Sequence, residues 1–152
     1  MAVALVTGIE TSDGRWVLAT DVQKYYRCLP FNWYLVTNLG EKGTPRRGDL
    51  VQFRAPEEVE RLTDSYRVIK IVAGVAGDRW SVEKNRLYLN GQEWGEMFLR
   101  DAIGEKESSL NGEGVIPEGH VFVLGTNPSS YDSRYWGALP IERIEGRAHV
   151  LF

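Results

Sequence analysis

The chain has 152 residues, of which 43% are hydrophobic and 11% aromatic, as expected for one compact globular domain. Its formal net charge of −3 provides no basic surface, so nucleic acid is not an expected partner. A membrane-spanning helix needs about 20 predominantly apolar residues, and no such window occurs in the sequence. We therefore predict a single domain over residues 1–152, from which any membrane anchor is absent.

Short runs of β-branched and aromatic residues, separated by turn residues, predict a mainly β fold with little helix. The clearest hairpin covers residues 87–94, where Asn90 and Gly91 supply the positive φ angles of a type I′ turn. Residues 55–62 are expected to form a short acidic turn or helix, and residues 95–119 a long excursion between strands. Other predicted strands lie at residues 15–18, 33–36, 50–53, 68–72, 121–124 and 148–152. Together they predict one mostly antiparallel domain with strongly coiled sheets.

Cys28 is the single cysteine, which excludes an internal disulfide. A lone cysteine fits either a buried hydrophobic residue or a catalytic thiol. If Cys28 is a catalytic thiol, a Cys28–His120 dyad is one alternative, and His149 is a weaker candidate for the partner of the thiol. The histidine, cysteine and acidic residues show no metal-ligand spacing, so we predict neither a metal site nor a cofactor.

Three sequence segments, at residues 46–53, 66–78 and 125–137, form an ordered set of motifs. Residues 125–137 read Gly-Thr-Asn-Pro-Ser-Ser-Tyr-Asp-Ser-Arg-Tyr-Trp-Gly and directly follow an apolar run. Upstream are residues 46–53, Arg-Arg-Gly-Asp-Leu-Val-Gln-Phe, and residues 66–78, Tyr-Arg-Val-Ile-Lys-Ile-Val-Ala-Gly-Val-Ala-Gly-Asp. Each is a weak signal alone, but the ordered set resembles the conserved boxes of the type I signal peptidases, which are Ser/Lys membrane proteases. The resemblance implies a coiled antiparallel β domain and peptide cleavage.

The segment expected to carry the nucleophile departs from the main signal peptidase pattern. Residues 27–34, Arg-Cys-Leu-Pro-Phe-Asn-Trp-Tyr, resemble more closely the Ser-x-Pro-x-Gly-x-Tyr pattern of the TraF-type conjugation peptidases. On that pattern Cys28 takes the serine position, Pro30 the proline and Tyr34 the tyrosine, whereas Asn32 replaces glycine. The resemblance implies that Cys28 is the nucleophile, and we expect its thiol to be accessible. The sequence leaves open whether the cysteine is natural or introduced.

Lys70 is the general base that the resemblance implies. It interrupts the apolar strand at residues 68–72, where alternation would place Val68 and Val72 on its face. Burial among such neighbours favours a neutral amine that can accept a proton. The alternative is an ordinary strand lysine that faces water.

Further residues of the site also follow from the resemblance. Ser130 matches the serine that hydrogen-bonds and orients the lysine, with a turn-capping serine as the alternative. Asp132 and Arg134 match an ion pair that supports the site, with a solvated pair of little value as the alternative. For the oxyanion, only the backbone N–H of Cys28 is carried over, because Tyr26 occupies the position of the family's second donor.

These patterns lead us to expect a peptidase of a conjugation system that cleaves, and in one version cyclises, a pilin precursor. It would act at the periplasmic face of the bacterial inner membrane, with Phe31 and Trp33 as an apolar rim at the membrane surface or else as core residues. One alternative is a general secretory signal peptidase. Another is a non-catalytic assembly or scaffold protein of the same fold. A self-cleaving repressor is disfavoured because no DNA-binding half is present.

Overall fold

The computed structural model describes residues 6–10, 16–21, 27–38, 43–55, 67–99 and 112–152. Within these ranges the protein is almost entirely β, which confirms the predicted fold class. One α-helix, α1 at Ser133–Trp136, and one 3-10 helix at Ile141–Arg143 complete the described elements. The strands are β1 Val6–Glu10, β2 Trp16–Asp21, β3 Trp33–Asn38, β4 Leu50–Arg54, β5 Arg67–Val75, β6 Arg79–Glu83, β7 Arg86–Leu89, β8 Gln92–Glu96, β9 Gly112–Val115, β10 His120–Leu124, β11 Leu139–Pro140 and β12 Ile144–Val150.

The strands form two antiparallel sheets. The larger has the order β1-β2-β3-β12-β4-β5-β10-β11, and the smaller has the order β8-β7-β6-β9. Two irregularities in the register of the larger sheet fall between Phe122 and Val123 and between Ile144 and Gly146. Such bulges bend a strand and increase its local twist, in keeping with the coiled sheet predicted from the sequence.

The central strand β5 is buried on both faces and lies between two apolar clusters. Val68 and Val72 belong to the larger cluster, which also receives side chains from the smaller sheet and β10. Ile69 belongs to a second cluster together with Leu29 and Tyr34. The alternation of side chains along a strand explains how a single β5 serves both clusters. A polar residue on this strand is therefore enclosed on whichever face it occupies.

Asp78, in the turn between β5 and β6, joins the two sheets. Its carboxylate accepts hydrogen bonds from Arg47 at 2.7 Å, from Asn90 Nδ2 at 2.9 Å and from the Val75 N–H at 2.8 Å. Asn90 and Gly91 have φ angles of 50° and 77°, as predicted for this hairpin. The Asp78 contacts thus connect the start of β4, the end of β5 and the β7–β8 hairpin.

Some sequence expectations differ from the structure. The last strand, predicted at residues 148–152, begins at Ile144 and ends at Val150. Strand β9 lies inside the predicted excursion at residues 95–119, because Gly112–Val115 pairs with β6 despite its two glycines. Residues 56–62 of the predicted helix and residues 100–111 lie outside the described residues. In the described part of the chain, no helix has the length and apolar character needed to cross a membrane.

We expect Asp78→Asn to destabilise the protein in a pH-dependent way. Partial burial opposes ionisation of Asp78, but hydrogen bonds from Arg47, Asn90 and Val75 outweigh it and lower its pKa. A carboxyl group whose pKa is lowered by folding stabilises the fold at pH values above its unfolded-state pKa of about 3.9. This stabilisation is lost as the pH falls through the pKa of the folded state. The variant should therefore lose about 1–2 kcal/mol of unfolding free energy at pH 7 and much less near pH 2.

Urea unfolding of both proteins at the two pH values measures this difference. Glu113→Gln, at an exposed position of β9, is the matched control and should leave stability almost unchanged. An equal loss for Asp78→Asn at both pH values would contradict the assigned role of the carboxylate charge.

Candidate active site

Cys28 is positioned through its main chain. Its carbonyl oxygen accepts hydrogen bonds from the Thr126 N–H at 2.9 Å and the Asn127 N–H at 3.3 Å. The carbonyl of Arg27 accepts a further bond from Asn127 Nδ2 at 2.9 Å. These bonds fix residues 27–28 against the loop that follows β10. Contrary to our expectation of an accessible thiol, Cys28 is 0% exposed, because it lies beneath its neighbours in the interior of the domain.

Lys70 and Ser130 meet in the interior. Lys70 Nζ donates a hydrogen bond to Ser130 Oγ at 2.6 Å, and the residues are only 1% and 0% exposed. The alternative of a solvent-facing lysine is thus wrong. Ser130 also belongs to a turn, since its N–H donates to the carbonyl of Asn127 at 3.0 Å. Its hydroxyl is nevertheless directed at the lysine, the contact that the sequence resemblance implies.

Asp132 and Arg134 form an ion pair inside the protein, so the alternative of a solvated pair is also wrong. Arg134 Nε lies 2.8 Å from Asp132 Oδ1, and Nη2 lies 2.6 Å from Oδ2, with the side chains 2% and 0% exposed. Burial opposes ionisation of Asp132, but the charge and hydrogen bonds of Arg134, with a contribution from Lys70, lower its pKa. Asp132 therefore remains a carboxylate, as the two-pronged geometry requires.

The ion pair also holds the surrounding backbone. Arg134 Nη2 donates to the carbonyls of Gly125 and Asn127, both at 3.2 Å, and Nη1 donates to the carbonyl of Glu96 at 3.3 Å. Asp132 accepts from the Gly125 N–H at 2.8 Å and caps helix α1. The pair thus connects the loop beside Cys28 with the end of β8 in the smaller sheet.

Gly125 is a site residue that the sequence analysis did not single out. A Cβ atom at this position would lie 2.3 Å from Ser130 Oγ and 2.8 Å from the carbonyl oxygen of Cys28. Real Cβ contacts are essentially never so short. A glycine is therefore needed for the Cys28 backbone and the Ser130 side chain to approach from both sides. Its place directly after the apolar strand β10 was the available signal.

Comparison with known proteins identifies the family. The family described as "Signal peptidase, peptidase S26" matches residues 10–152. This chain belongs to the S26 signal peptidase family. It is 33% identical to a probable signal peptidase I-2 of Synechocystis sp., over 71% of this chain and 48% of that protein. It is 30% identical to a signal peptidase I of Pseudomonas fluorescens, over 74% of this chain and 50% of that protein.

The chain spans about half the length of these curated relatives. A crystal structure of a signal peptidase I from Enterococcus faecalis is also similar, with 29% identity and a TM-score of 0.44. That match covers 72% of this chain and 98% of the other.

Tyr34 is a buried member of the second apolar cluster, together with Leu29. The hydroxyl of Tyr34 donates to the carbonyl of Phe31 at 3.2 Å. Burial raises the pKa of Tyr34 above its usual range, and the negative charge of Asp21 raises it further. The phenol therefore remains neutral.

The two histidines have other surroundings. His120 Nδ1 lies 2.9 Å from the carbonyl of Glu118, and His149 Nε2 lies 3.4 Å from Thr37 Oγ1. Neither of these hydrogen bonds involves Cys28. Across the described ranges, no group of three or more His, Cys, Asp or Glu residues is arranged to hold a metal ion.

The aromatic residues proposed as a membrane rim are half-buried. Phe31 packs against the cluster around Tyr34 and Leu29, and the Trp33 ring lies 6.3 Å from the Phe152 ring. Phe152 itself is 74% exposed. Tyr26, the other sequence candidate near Cys28, lies outside the described residues.

Gly125→Ala is expected to destabilise the protein by about 1–3 kcal/mol, because the added methyl group would overlap Ser130 and the Cys28 carbonyl. Gly95→Ala is the matched control, since a Cβ there would meet nothing within 4 Å. Thermal unfolding followed by circular dichroism measures both changes. Equal melting temperatures for the two variants would show that the loop gives way without cost and that the close approach is unimportant.

Proposed function

We propose that this chain is the catalytic domain of a signal peptidase that cleaves precursors of exported proteins, with Cys28 as nucleophile and Lys70 as general base. The observation that carries the proposal is the buried Lys70–Ser130 hydrogen bond of 2.6 Å. It occurs in a chain whose residues 10–152 match the S26 family. A lysine enclosed with one hydroxyl partner is a costly arrangement for stability alone, and a chemical role accounts for it.

The proposed reaction is acyl transfer. The Cys28 sulfur attacks the scissile carbonyl carbon while Lys70 takes the thiol proton, and the backbone N–H of Cys28 donates to the oxyanion. The tetrahedral intermediate expels the amine of the mature protein, which receives the proton from Lys70 and leaves a thioester on Cys28. Lys70 then removes a proton from water, and the hydroxide attacks the thioester. The second tetrahedral intermediate expels the Cys28 thiolate, which takes the proton back from Lys70, and the product leaves with a new carboxyl terminus.

Supporting residues fix the geometry of this reaction. Ser130 accepts from Lys70 Nζ and so restricts the rotamers of a long, flexible side chain. Asp132 and Arg134 act as positioning residues, because they hold the loop that contacts the Cys28 carbonyl. Since Cys28 is buried, we infer that the substrate reaches the thiol only after neighbouring groups have moved.

The edge of β5 suits an extended peptide. On one side, residues 67–71 pair with β4, and on the other side β10 pairs only with residues from Ile71 onwards. Within the described residues, no strand pairs with residues 67–70 on that second side. A substrate added as a strand there would hydrogen-bond to the backbone next to Lys70. Peptide cleavage is therefore favoured over small-molecule chemistry.

The substrate class that we favour is the general exported precursor. The relatives from Synechocystis and Pseudomonas are named as signal peptidases I, and the likeness to TraF-type peptidases rests on residues 27–34 alone. A pilin precursor, cleaved or cyclised, remains the narrower alternative. We place the reaction at the periplasmic face of the bacterial inner membrane, with Phe31 and Trp33 in the apolar rim beside the site.

A non-catalytic scaffold of the same fold is the rival from another class. Such a protein would have no use for a buried lysine, and substitutions there would relieve the cost of burial. The matched Lys70–Ser130 pair therefore argues for a working enzyme, and the substitutions below separate the two proposals.

Lys70→Met should lower kcat for precursor cleavage by about 10²–10⁴-fold, because the methionine fills a similar space but accepts no proton. Cleavage of an exported-protein precursor is followed by gel electrophoresis and mass spectrometry, with circular dichroism to verify folding. His120→Ala is the control and should retain activity. Loss of activity in His120→Ala, with Lys70→Met active, would replace the Cys/Lys assignment by a Cys/His one.

Cys28→Ser tests whether the thiol is native. A pocket fitted to sulfur gives the hydroxyl poor geometry, and serine depends more on its base, so the variant should lose most activity. Cys28→Ala should lose all cleavage. Higher activity of Cys28→Ser than of the parent would show that the surroundings suit serine, and cleavage by Cys28→Ala would exclude residue 28 as nucleophile.

A further inference from the structure

The side chain of Asn127, in the loop after β10, has no role in the reaction described above. Its Nδ2 group donates a hydrogen bond to the carbonyl oxygen of Arg27 at 2.9 Å. Its Oδ1 accepts hydrogen bonds from the Ser129 N–H at 2.9 Å and from the Ser129 hydroxyl at 2.8 Å. Because a backbone N–H can only donate, it determines which end of the amide carries the oxygen. The end that faces Arg27 is therefore the donor.

The peptide group between Arg27 and Cys28 carries the proposed oxyanion donor, the N–H of Cys28. Peptide bonds in the described residues are trans, and in a planar trans peptide the C=O and the N–H point in opposite directions. The bond from Asn127 to the Arg27 oxygen therefore also sets the direction of the Cys28 N–H. The side chain of Asn127 thus acts on the donor from the other end of the same rigid group.

The next peptide group is held from the same loop. The carbonyl of Cys28 accepts from the N–H groups of Thr126 at 2.9 Å and Asn127 at 3.3 Å, and from Thr126 Oγ1 at 3.3 Å. The Cα atom of Cys28 joins the two held groups, and only φ and ψ can rotate there. With both groups fixed, the direction of the N–H is also fixed relative to the Cβ atom that bears the sulfur.

Asn127 is also held by the half of the site that contains the proposed base. Its own carbonyl accepts from the Ser130 N–H at 3.0 Å and from Arg134 Nη2 at 3.2 Å. Ser130 Oγ in turn accepts from Lys70 Nζ at 2.6 Å. The main chain of Asn127 therefore contacts the residue that orients Lys70, while its side chain holds the peptide group of the oxyanion donor.

We propose that Asn127 is a positioning residue for the oxyanion, which orients the Cys28 N–H through the carbonyl of Arg27. This inference rests on the proposed peptidase function and adds a residue to it. The bond fixes the direction of the donor before the oxyanion forms, so that no reorganisation is needed in the transition state. A hydrogen bond accepted by the C=O also polarises the peptide group and strengthens its N–H as a donor.

Asn127→Asp tests this role most directly. The aspartate keeps an acceptor for Ser129, but it places an oxygen that cannot donate beside the carbonyl of Arg27. We expect kcat for precursor cleavage to fall by about 10²-fold, because a misdirected donor loses most of the value of an oxyanion hydrogen bond. KM should be nearly unchanged, since the oxyanion is absent from the bound substrate.

A peptide aldehyde that ends at the residue before the scissile bond provides a second measurement. The Cys28 sulfur adds to the aldehyde carbon, the thiol proton passes to the aldehyde oxygen, and this oxygen occupies the place of the oxyanion. The inhibition constant should rise by about 10-fold in Asn127→Asp, less than the loss in kcat because the oxygen is uncharged. Inhibition constants and KM do not depend on the amount of folded protein, so poor folding of the variant cannot produce this pattern.

Asn85→Asp is the matched control. Asn85, in the turn between β6 and β7, also donates from Nδ2 to a main-chain carbonyl, that of Met97 at 3.5 Å. The substitution makes the same change in charge and should leave kcat and the inhibition constant at the parent values. Asn127→Ala is a second variant, which removes the donor without adding a charge and should also lower kcat at unchanged KM.

The outcomes separate the two proposals. If Asn127→Ala keeps the parent kcat, or if KM rises while kcat is unchanged, the role of Asn127 is wrong and the peptidase function stands. A fall in kcat without any change in the aldehyde inhibition constant would also contradict the role, because the donor would then be intact. If the parent neither cleaves a precursor nor binds the aldehyde, the peptidase function itself falls, and with it this inference.

Discussion

The arrangement of the site depends on the buried ion pair between Asp132 and Arg134. Removing one partner of such a pair leaves a buried charge without compensation, at a cost of about 3–5 kcal/mol. Here the cost would extend beyond the pair, because Arg134 also binds the carbonyls of Gly125, Asn127 and Glu96. The loop that holds the Cys28 main chain and the end of the smaller sheet therefore share one electrostatic centre. Without the ion pair, the loop carbonyls of Gly125 and Asn127 would lose these hydrogen bonds in the interior.

The proposed reactive groups are held by two kinds of structure, a strand for Lys70 and a loop for Ser130 and the Cys28 backbone. Lys70 projects from β5, which is held by β4 on one side and farther along by β10 on the other. Ser130 and the Cys28 backbone instead meet at a loop, and Gly125 sets how closely they approach. A strand supplies a rigid position, whereas the loop requires the ion pair to become equally fixed. In keeping with this division, Asp132 and Arg134, which hold the loop, are as deeply buried as Lys70.

Much of this arrangement could be predicted from the sequence, and the failures have physical reasons. Apolar runs predicted β4, β5 and β10, and the ordered boxes predicted that Ser130 would contact Lys70. Their chemical roles stay predictions. Strand β9 was not predicted, because its sequence Gly-Glu-Gly-Val has a low strand propensity and becomes extended only through pairing with β6. A buried Cys28 was only one of two alternatives in the sequence, since burial there arises from long-range packing that no local pattern encodes.

The main chain of Cys28 is held through its carbonyl oxygen. Thr126 and Asn127 would make the same bonds to any residue at position 28, because every amino acid has that carbonyl. These backbone hydrogen bonds are therefore independent of the side chain at position 28, whereas the fit of that side chain depends on the volume around it. The same property means that a residue of similar size at position 28 would keep the backbone bonds from Thr126 and Asn127.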